Sequence, residues 1–482
     1  MSRPESKEWE DTLARFEKTA RELDTNPSVF GSWMKELESY STKLLKELPT
    51  APVYFRAEKP GWLNIPLPFD QTPFSDVLAE FHRGVLETGI YPASGRFLGY
   101  VPGGGVPSAA VGDFLAALSN KYAGMYQASP GAAEIENLAV EWLRDMIGFP
   151  ATAWGTLTSG GTPATITALI AARETREWSE WSRSVIYLTS ECHFCIEKSL
   201  GVLGLGRVPR RKIKVDSEFR MSVEELEAQI ETDRAEGLSP WILIASAGTI
   251  NTGAIDPLSR LVSVARREKM WFHVDAAYGG FFVQTKEGKS RLAGIEACDS
   301  LVLDPHKALF MPYGLGAALV RDGRYLRAGL SFEADYIADV TSDEERSPTD
   351  YSLELTRHFR SLRFWMSLKI HGFERFRAAL EEKLLLTQWT YDRLSAMDEL
   401  EMGPSPQLTC IAFRVKKRPS DSDPEKRTRE VLKNVVSRGR IYLNSTRLDG
   451  QLYIRLCILN FRTHLGDLKE LISELSMALA NL

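Results

Sequence analysis

Short apolar runs separated by helix-period segments organise the middle of this chain. VIYL at 185–188, WILIA at 241–245, WFHV at 271–274 and LVL at 301–303 are each the length of a buried strand. Helices intervene, so the pattern predicts an α/β fold with a mainly parallel, doubly wound sheet, placed at 87–370. Before the first of these runs, Ile135, Leu138, Leu143, Met146 and Ile147 recur at helical spacing and stop at Gly148. A second helix runs to Arg173 behind the turn Ser159-Gly160-Gly161-Thr162, with Pro163 in its first turn. Towards the N-terminus, Trp9, Leu13 and Phe16, then Met34, Leu37, Leu44 and Leu45, alternate with charges as in amphipathic helices. Prolines from Pro52 to Pro73 follow, so 1–86 reads as a helical arm with an extended strap. After 370, strands at 408–415 and 452–459 and a closing amphipathic helix predict a smaller α+β domain, 371–482.

Composition narrows the function. The 482 residues are 44% hydrophobic, enough for a large core, and carry a net charge of -5, which argues against a nucleic-acid binder. No apolar run reaches the length of a membrane span, and the charged N-terminus lacks the apolar centre of a signal peptide. The five cysteines are an odd, scattered set and do not read as a disulfide framework. Cys192 and Cys195 have CxxC spacing, but neither a second pair nor a histidine pair accompanies them, so zinc and redox readings are set aside. A cytoplasmic setting is the default expectation.

Candidate chemistry gathers at the strand ends. The run 301–303 turns at Asp304-Pro305 and presents His306 and Lys307. A lysine there is either a snorkelling side chain or an amine whose pKa burial lowers for Schiff-base chemistry. Asp275 closes the strand before it and is followed by Ala276-Ala277 and Gly279-Gly280. Alone it could be a helix N-cap, but a carboxylate beside small residues at a sheet's carboxyl edge also suits a flat pyridinium ring. Pyridoxal phosphate (PLP) needs both groups, a lysine for its aldehyde and an acid for its ring nitrogen. The small-residue turn before the helix at Gly161 could hold an anion or be an ordinary cap.

HVDAAYGG at 273–280 followed by DPHK at 304–307 resembles the group II PLP-dependent amino-acid decarboxylases, the family of aromatic amino-acid and glutamate decarboxylases. The resemblance covers nearly the whole chain. It implies an aspartate-aminotransferase-type large domain with a seven-stranded sheet, an N-terminal helical arm and a small C-terminal domain. It also implies PLP as cofactor, held as a Schiff base on Lys307 with Asp275 at its ring nitrogen. Gly161 and Thr162 match the phosphate contacts, with His306 close by, and Ala277 and Asn251 fall in the cofactor-contacting turns. His193 matches a histidine that stacks on the ring, although a lone histidine is more often structural. In the turn 246–253 the family has threonines where Ile250 stands, which leaves that contact open.

The same resemblance places Tyr100 and Pro102 at the substrate side-chain site, where a plain surface turn is the alternative. Tyr336, in the polar stretch 331–351, matches the tyrosine that protonates the substrate carbon, with Tyr351 the next candidate. That stretch is expected to be a mobile loop. Arg357, Arg360 and Arg363 recur every third residue and are expected to share one helix face. The arm is expected to wrap a second subunit, giving a homodimer with the active site at the interface, unless it caps its own domain. The expected activity is decarboxylation of an L-amino acid, aromatic first, to an amine. An aminotransferase, a carbon–carbon lyase, an aldehyde-forming oxidative deaminase and a non-catalytic relative are the alternatives. No metal, membrane or nucleic acid is expected.

Overall fold

The computed structural model describes residues 6–55, 67–331, 345–419 and 422–482. They form two compact units, Met1–Gly89 and Ile90–Leu482. In the first, helices α1 (Ser6–Ala20), α2 (Pro27–Glu47) and α3 (Phe74–Phe81) carry the amphipathic periodicity. Asn26 caps α2 by accepting the Ser28 N–H at 2.9 Å, and Pro27 fits the first turn because its missing N–H would be unpaired there. Trp33 of α2 stacks on Phe74 of α3 with ring centroids 5.6 Å apart. Among the described residues no helix is long and apolar enough to cross a membrane.

The second unit is built on seven strands, β1 (Trp154–Thr158), β2 (Ser184–Thr189), β3 (Arg210–Ile213), β4 (Ser239–Ser246), β5 (Trp271–Asp275), β6 (Ser300–Leu303) and β7 (Gly316–Val320). Their order is β1-β7-β6-β5-β4-β2-β3, and only β7 runs against the rest. β1, β2, β6 and β7 are buried along their whole length, and β4 and β5 at all but one end residue. That is why the sequence reads as continuous apolar runs there rather than as alternation. Helices α4 (Pro107–Ser119), α5 (Pro130–Ile147), α6 (Gly161–Arg173), α7 (Phe194–Val202), α8 (Val223–Ala235) and α9 (Leu258–Glu268) surround the sheet.

Small residues pack α6 against the sheet. Ala164 and Ala168 of the helix pack on Ala277, Val302 and Ala318. A Cβ on Gly316 would stand 2.6 Å from the Gly160 carbonyl carbon, so no larger residue fits between β7 and the turn that opens α6. This packing sets the N-terminus of α6 against the carboxyl ends of the parallel strands.

Helices α10 (Ser361–His371) and α11 (Phe373–Ser395) lead to a four-stranded antiparallel sheet of β8 (Leu400–Met402), β9 (Cys410–Val415), β10 (Asn444–Leu448) and β11 (Gln451–Cys457), ordered β8-β9-β11-β10. Phe413, Ile454 and Leu456 of this sheet pack with Val431 of α12 (Lys426–Ser437) and Leu468 and Leu471 of α13 (Leu465–Ala480).

The three arginines depart from expectation. α10 begins at Ser361, so Arg357 and Arg360 precede it and no single helix face holds all three. Each is instead drawn inward by its own acid: Arg357 pairs with buried Glu136, Arg360 with Glu354 at 2.6 Å, and Arg363 with Asp113 at 2.7 Å. Three desolvated guanidinium groups need three separate carboxylates, and that requirement overrides helical spacing. Of the stretch 331–351, residues 332–344 lie outside the described residues. Its end is anchored, with Thr349 N–H donating to the Gly124 carbonyl at 3.0 Å and Ser347 Oγ accepting from Tyr126 N–H at 3.1 Å.

Candidate active site

Strands β4, β5 and β6 deliver their last residues to one level, because Ser246 pairs in register with Asp275, and Asp275 with Val302. A cavity of about 300 Å³ opens there. Lys307 lies on the single helical turn Pro305–Ala308 that follows β6, with Asp304 just before it. The i,i+3 spacing puts both side chains on one side of that turn, and Lys307 Nζ sits 3.0 Å from Asp304 Oδ2. Asp304 is buried, and its other oxygen, Oδ1, has no hydrogen-bond partner among the described residues.

Charge in this pocket differs from the simple expectation for a buried amine. Burial pushes the Lys307 amine down, but Asp304 and Asp275 outweigh burial and hold it above the usual lysine range. Lys307 is therefore held as an ammonium by these carboxylates, not as a pre-deprotonated nucleophile. Burial raises Asp275, opposed by Lys307 and by the Ala277 N–H, which donates to Asp275 Oδ1 at 3.2 Å.

The two histidines are neutral for the same reason and differ in tautomer. Burial lowers both. His193 stands at the N-cap of α7, where its Nδ1 accepts the Cys195 N–H at 3.2 Å, so its ring proton sits on Nε2. His306 Nδ1 lies 2.7 Å from the Leu315 carbonyl and must be the donor, which leaves its Nε2 free to accept.

Glycines set how closely the walls approach. A Cβ on Gly161, the first residue of α6, would stand 2.9 Å from Asp304 Oδ2. A Cβ on Gly103 would fall 2.1 Å from the His306 carbonyl oxygen and 2.8 Å from that of Lys307. The segment 100–105 thus lies directly on the backbone of the lysine turn.

Tyr100, on the same segment, has a left-handed backbone with φ of 53°. Its N–H donates to Asn444 Oδ1 at 3.2 Å and its carbonyl accepts from Arg455 Nη1 at 2.7 Å. Asn444 and Arg455 are register partners across β10 and β11, so the small sheet fixes this part of the wall. On the opposite edge, Asp256 Oδ2 accepts the Ser246 N–H at 2.7 Å while the Asp256 N–H returns to the Ser246 carbonyl at 2.9 Å, fixing the end of β4. Burial pushes the Asp256 carboxyl up to about 6.

Eight of the residues singled out from sequence line this one cavity: Lys307, Asp275, Ala277, His193, His306, Gly161, Thr162 and Tyr100. Pro102 and Asn251 are not among its lining. Val101, the neighbour of Pro102, lines it instead, and Gly103 is pressed on the lysine turn. Asn251 is held away by Glu191 Oε2 at 3.1 Å and Thr446 Oγ1 at 2.7 Å. Ile250 lines the cavity, as does its neighbour Thr249, whose hydroxyl lies 3.0 Å from that of Thr252. Tyr336 lies outside the described residues. Tyr351 packs near Trp154, with ring centroids 6.0 Å apart, and does not line the cavity. The sequence reading missed Asp304, Tyr278 and Tyr313, which also line it. Asp304 carried a signal in its place in DPHK and Tyr278 in its place in HVDAAYGG; Tyr313 stood in neither.

These residues fit PLP. A lysine stands beside a buried carboxylate, an alanine leaves room for a ring, and a helix opens at a glycine with free N–H groups. Fold and site together define a PLP-dependent enzyme of the aspartate-aminotransferase architecture. The pyridoxal-dependent decarboxylase conserved domain matches residues 61–416, and the chain belongs to that family. An aromatic-L-amino-acid decarboxylase of Bacillus atrophaeus is 34% identical over 79% of this chain and 80% of its own length. An L-2,4-diaminobutyrate decarboxylase of Rhizobium meliloti (strain 1021) is 31% identical over 83% and 80%. The crystal structure of Oryza sativa TDC with PLP and tryptamine superposes with a TM-score of 0.89 over 95% of this chain and 99% of that one, at 23% identity, a likeness of fold. The protein is thus a PLP-dependent amino-acid decarboxylase.

Proposed function

We propose that this enzyme converts an aromatic L-amino acid to its amine and carbon dioxide, with Lys307 as the residue that bonds the cofactor. The supporting observation is the chemistry of the cavity wall. Tyr100, Val101, Ile250 and Tyr313 give it an apolar and aromatic side, and among the described residues its only carboxylates are Asp275 and Asp304. Asp304 pairs with Lys307 and Asp275 is assigned to the cofactor ring, so neither is free to receive a second ammonium. A diaminobutyrate side chain would lack a partner there.

When bound, PLP supplies an electron sink for the pair released as carbon dioxide leaves. The protein's part is positioning and proton control. Asp275, at the end of β5, would keep a proton on the ring nitrogen. Neutral His193 offers a flat face for the ring, its orientation fixed by the Cys195 N–H. The N-terminus of α6, with Gly161 and Thr162, would hold the phosphate, and His306 Nε2 remains an acceptor close by. Tyr336 is assigned the delivery of the proton that replaces the carboxylate.

A panel of L-amino acids scored for amine and carbon dioxide tests the substrate class. Aromatic substrates should exceed L-2,4-diaminobutyrate and glutamate by at least tenfold in kcat/KM, and a preference for either of those would overturn the assignment. Tyr336→Phe should move product from amine toward aldehyde under air. An unchanged ratio would remove Tyr336 from the proton step.

We also propose a homodimer. Trp9, Leu13 and Phe16 on α1 are 51%, 58% and 62% exposed in the single chain, an apolar stripe that a second copy would cover. Sedimentation should give twice the 54.1 kDa chain mass.

A further inference from the structure

Two cysteines that the proposed chemistry leaves unused face each other across the small sheet. Cys410 opens β9, Cys457 closes β11, and the two are register partners. The adjoining pair carries the hydrogen bond, Ile458 N–H donating to the Thr409 carbonyl at 2.8 Å, while the Cys457 N–H turns away to the Leu98 carbonyl at 2.8 Å. Cys410 and Cys457 are therefore a non-hydrogen-bonded pair, the kind whose Cα atoms stand about 4.5 Å apart with side chains closest. Disulfides bridge Cα separations of about 4.4–6.8 Å, so the backbone already meets that requirement. Both thiols are free and buried. Arg455, two residues before Cys457 on the same face of β11, is also buried, and no carboxylate pairs with it among the described residues. Its Nη2 donates to Cys410 Sγ at 3.0 Å and its Nη1 to the Tyr100 carbonyl at 2.7 Å. The other titratable group facing the pair is Tyr278, whose hydroxyl accepts from Cys457 Sγ at 3.7 Å and lies 2.6 Å from Thr409 Oγ1. A buried guanidinium needs an anion, and Cys410 is the acid in contact with it. Burial raises the Cys410 thiol, but the Cys457 hydrogen bond and the charge of Arg455 outweigh it and hold it below the ordinary thiol range; burial raises Cys457. Cys410 is thus the nucleophile and Cys457 the protonated thiol beside it. Tyr278 lines the cavity, so the pair sits one side chain behind it.

We infer that Cys410 and Cys457 are a reversible oxidation site, closed to a disulfide by hydrogen peroxide, and that closing it releases the substrate wall at Tyr100. The Cys410 sulfur attacks one peroxide oxygen, the O–O bond breaks and hydroxide leaves, giving a sulfenic acid. The Cys457 sulfur then attacks that of Cys410, the S–O bond breaks, and water leaves with the Cys457 proton. Two electrons pass from the sulfurs to peroxide; with the proton first shed by Cys410, it ends as two waters. A disulfide sulfur carries no charge and accepts hydrogen bonds weakly, so Arg455 loses its counter-ion. A buried guanidinium without an anion turns away, and its bond to the Tyr100 carbonyl goes with it. Tyr100 has a left-handed φ of 53°, a conformation that a tyrosine keeps under restraint, so its place in the wall changes. The effect on catalysis rests on the reading of Tyr100 as substrate wall.

The full-length holoenzyme is titrated with hydrogen peroxide, its remaining thiols are blocked by alkylation, and the digest is read by mass spectrometry. Kinetics are measured on the same samples before and after dithiothreitol. A peptide linking Cys410 to Cys457 should appear, and KM should rise about fivefold with kcat within about twofold, as expected for lost binding to the wall. Dithiothreitol should reverse both changes. Cys457→Ser, which keeps the Cys410–Arg455 contact but cannot close the bond, should hold its KM through the same treatment. Absence of the linked peptide, an unchanged KM in its presence, or a KM rise that persists in Cys457→Ser would overturn the inference. Should that variant fold poorly, the wild-type titration decides: the KM rise should track the linked fraction, and a rise that follows oxidation of Cys192, Cys195 or Cys298 instead overturns it. Linkage and KM are read on whichever amino acid the enzyme turns over. A preference for a non-aromatic substrate is thus a separate result, striking at the proposed substrate class.

Discussion

Lys383 has no exposed side-chain surface and Lys307 keeps 23% of its own, and only Lys307 stands in a place where chemistry is possible. Lys383, on α11, donates to the Thr463 carbonyl and pairs with Glu382 at 2.8 Å. Burial lowers it, Glu382 only partly offsets that, and Glu382 itself is 38% exposed. Lys307 meets two carboxylates, one of them buried with an unpaired oxygen, and it faces a cavity. His273 on β5 completes the series: it is fully buried with no carboxylate beside it among the described residues, and burial pushes it down to about 3. Burial alone therefore does not mark a reactive base. The mark is a surplus of opposite charge around it, in a space that a ligand can enter.

The sharpest break in this comparison is Lys307→Ala. It should abolish the visible absorbance of bound cofactor and lower turnover at least about 10³-fold, roughly 4 kcal/mol of barrier. Retention of both would move the chemistry to another amine. Asp275→Asn should come next, keeping some cofactor through Lys307 and the α6 turn while lowering kcat about 10²-fold, roughly 3 kcal/mol. A rate within twofold of wild type would reduce Asp275 to a capping role.

His273 tests the series through stability. Its folded pKa is depressed, so its contribution is complete above the unfolded value near 6.5 and is lost as pH falls toward 3. Between pH 7 and pH 5, wild type should lose about 2 kcal/mol more than His273→Asn in denaturant titrations. Parallel pH profiles would show that the histidine is not neutral in the fold. The smallest effect is expected of Lys383→Met, about 1–2 kcal/mol of stability from the Thr463 carbonyl left unpaired, with cofactor absorbance and turnover within twofold of wild type. Loss of activity there would erase the distinction between the two lysines.

Much of this was legible from residue order. Apolar runs that end in Asp275 and Asp304 mark central strands, because fully buried strands need no alternation. The edge strand β3, RRKI, escaped notice because it is half-exposed and basic, without the apolar density of its neighbours. Strands β1 and β7 lack a bounded run of branched residues: WGTLT and GAALV owe their strand form to pairing with each other and with β6. At the site, Lys307, Asp275 and His193 could be found because each closes or follows a strand. Tyr313 could not, since its approach depends on how loops pack. Asn251 lies outside the cavity lining: in the fold, Thr446, far along the chain, donates to its side-chain oxygen. The arginines at 357, 360 and 363 show the limit of periodicity, which predicts faces only where a helix forms.

Gly103 carries a lesson for anyone redesigning this enzyme. Its missing side chain is occupied by the carbonyl oxygens of His306 and Lys307. A mutational library that randomises 100–105 uniformly would spend much of its diversity on displaced lysine turns. Positions 100, 101, 250 and 313 line the cavity and can be varied without touching that turn, while 103 is inherited together with DPHK as one module.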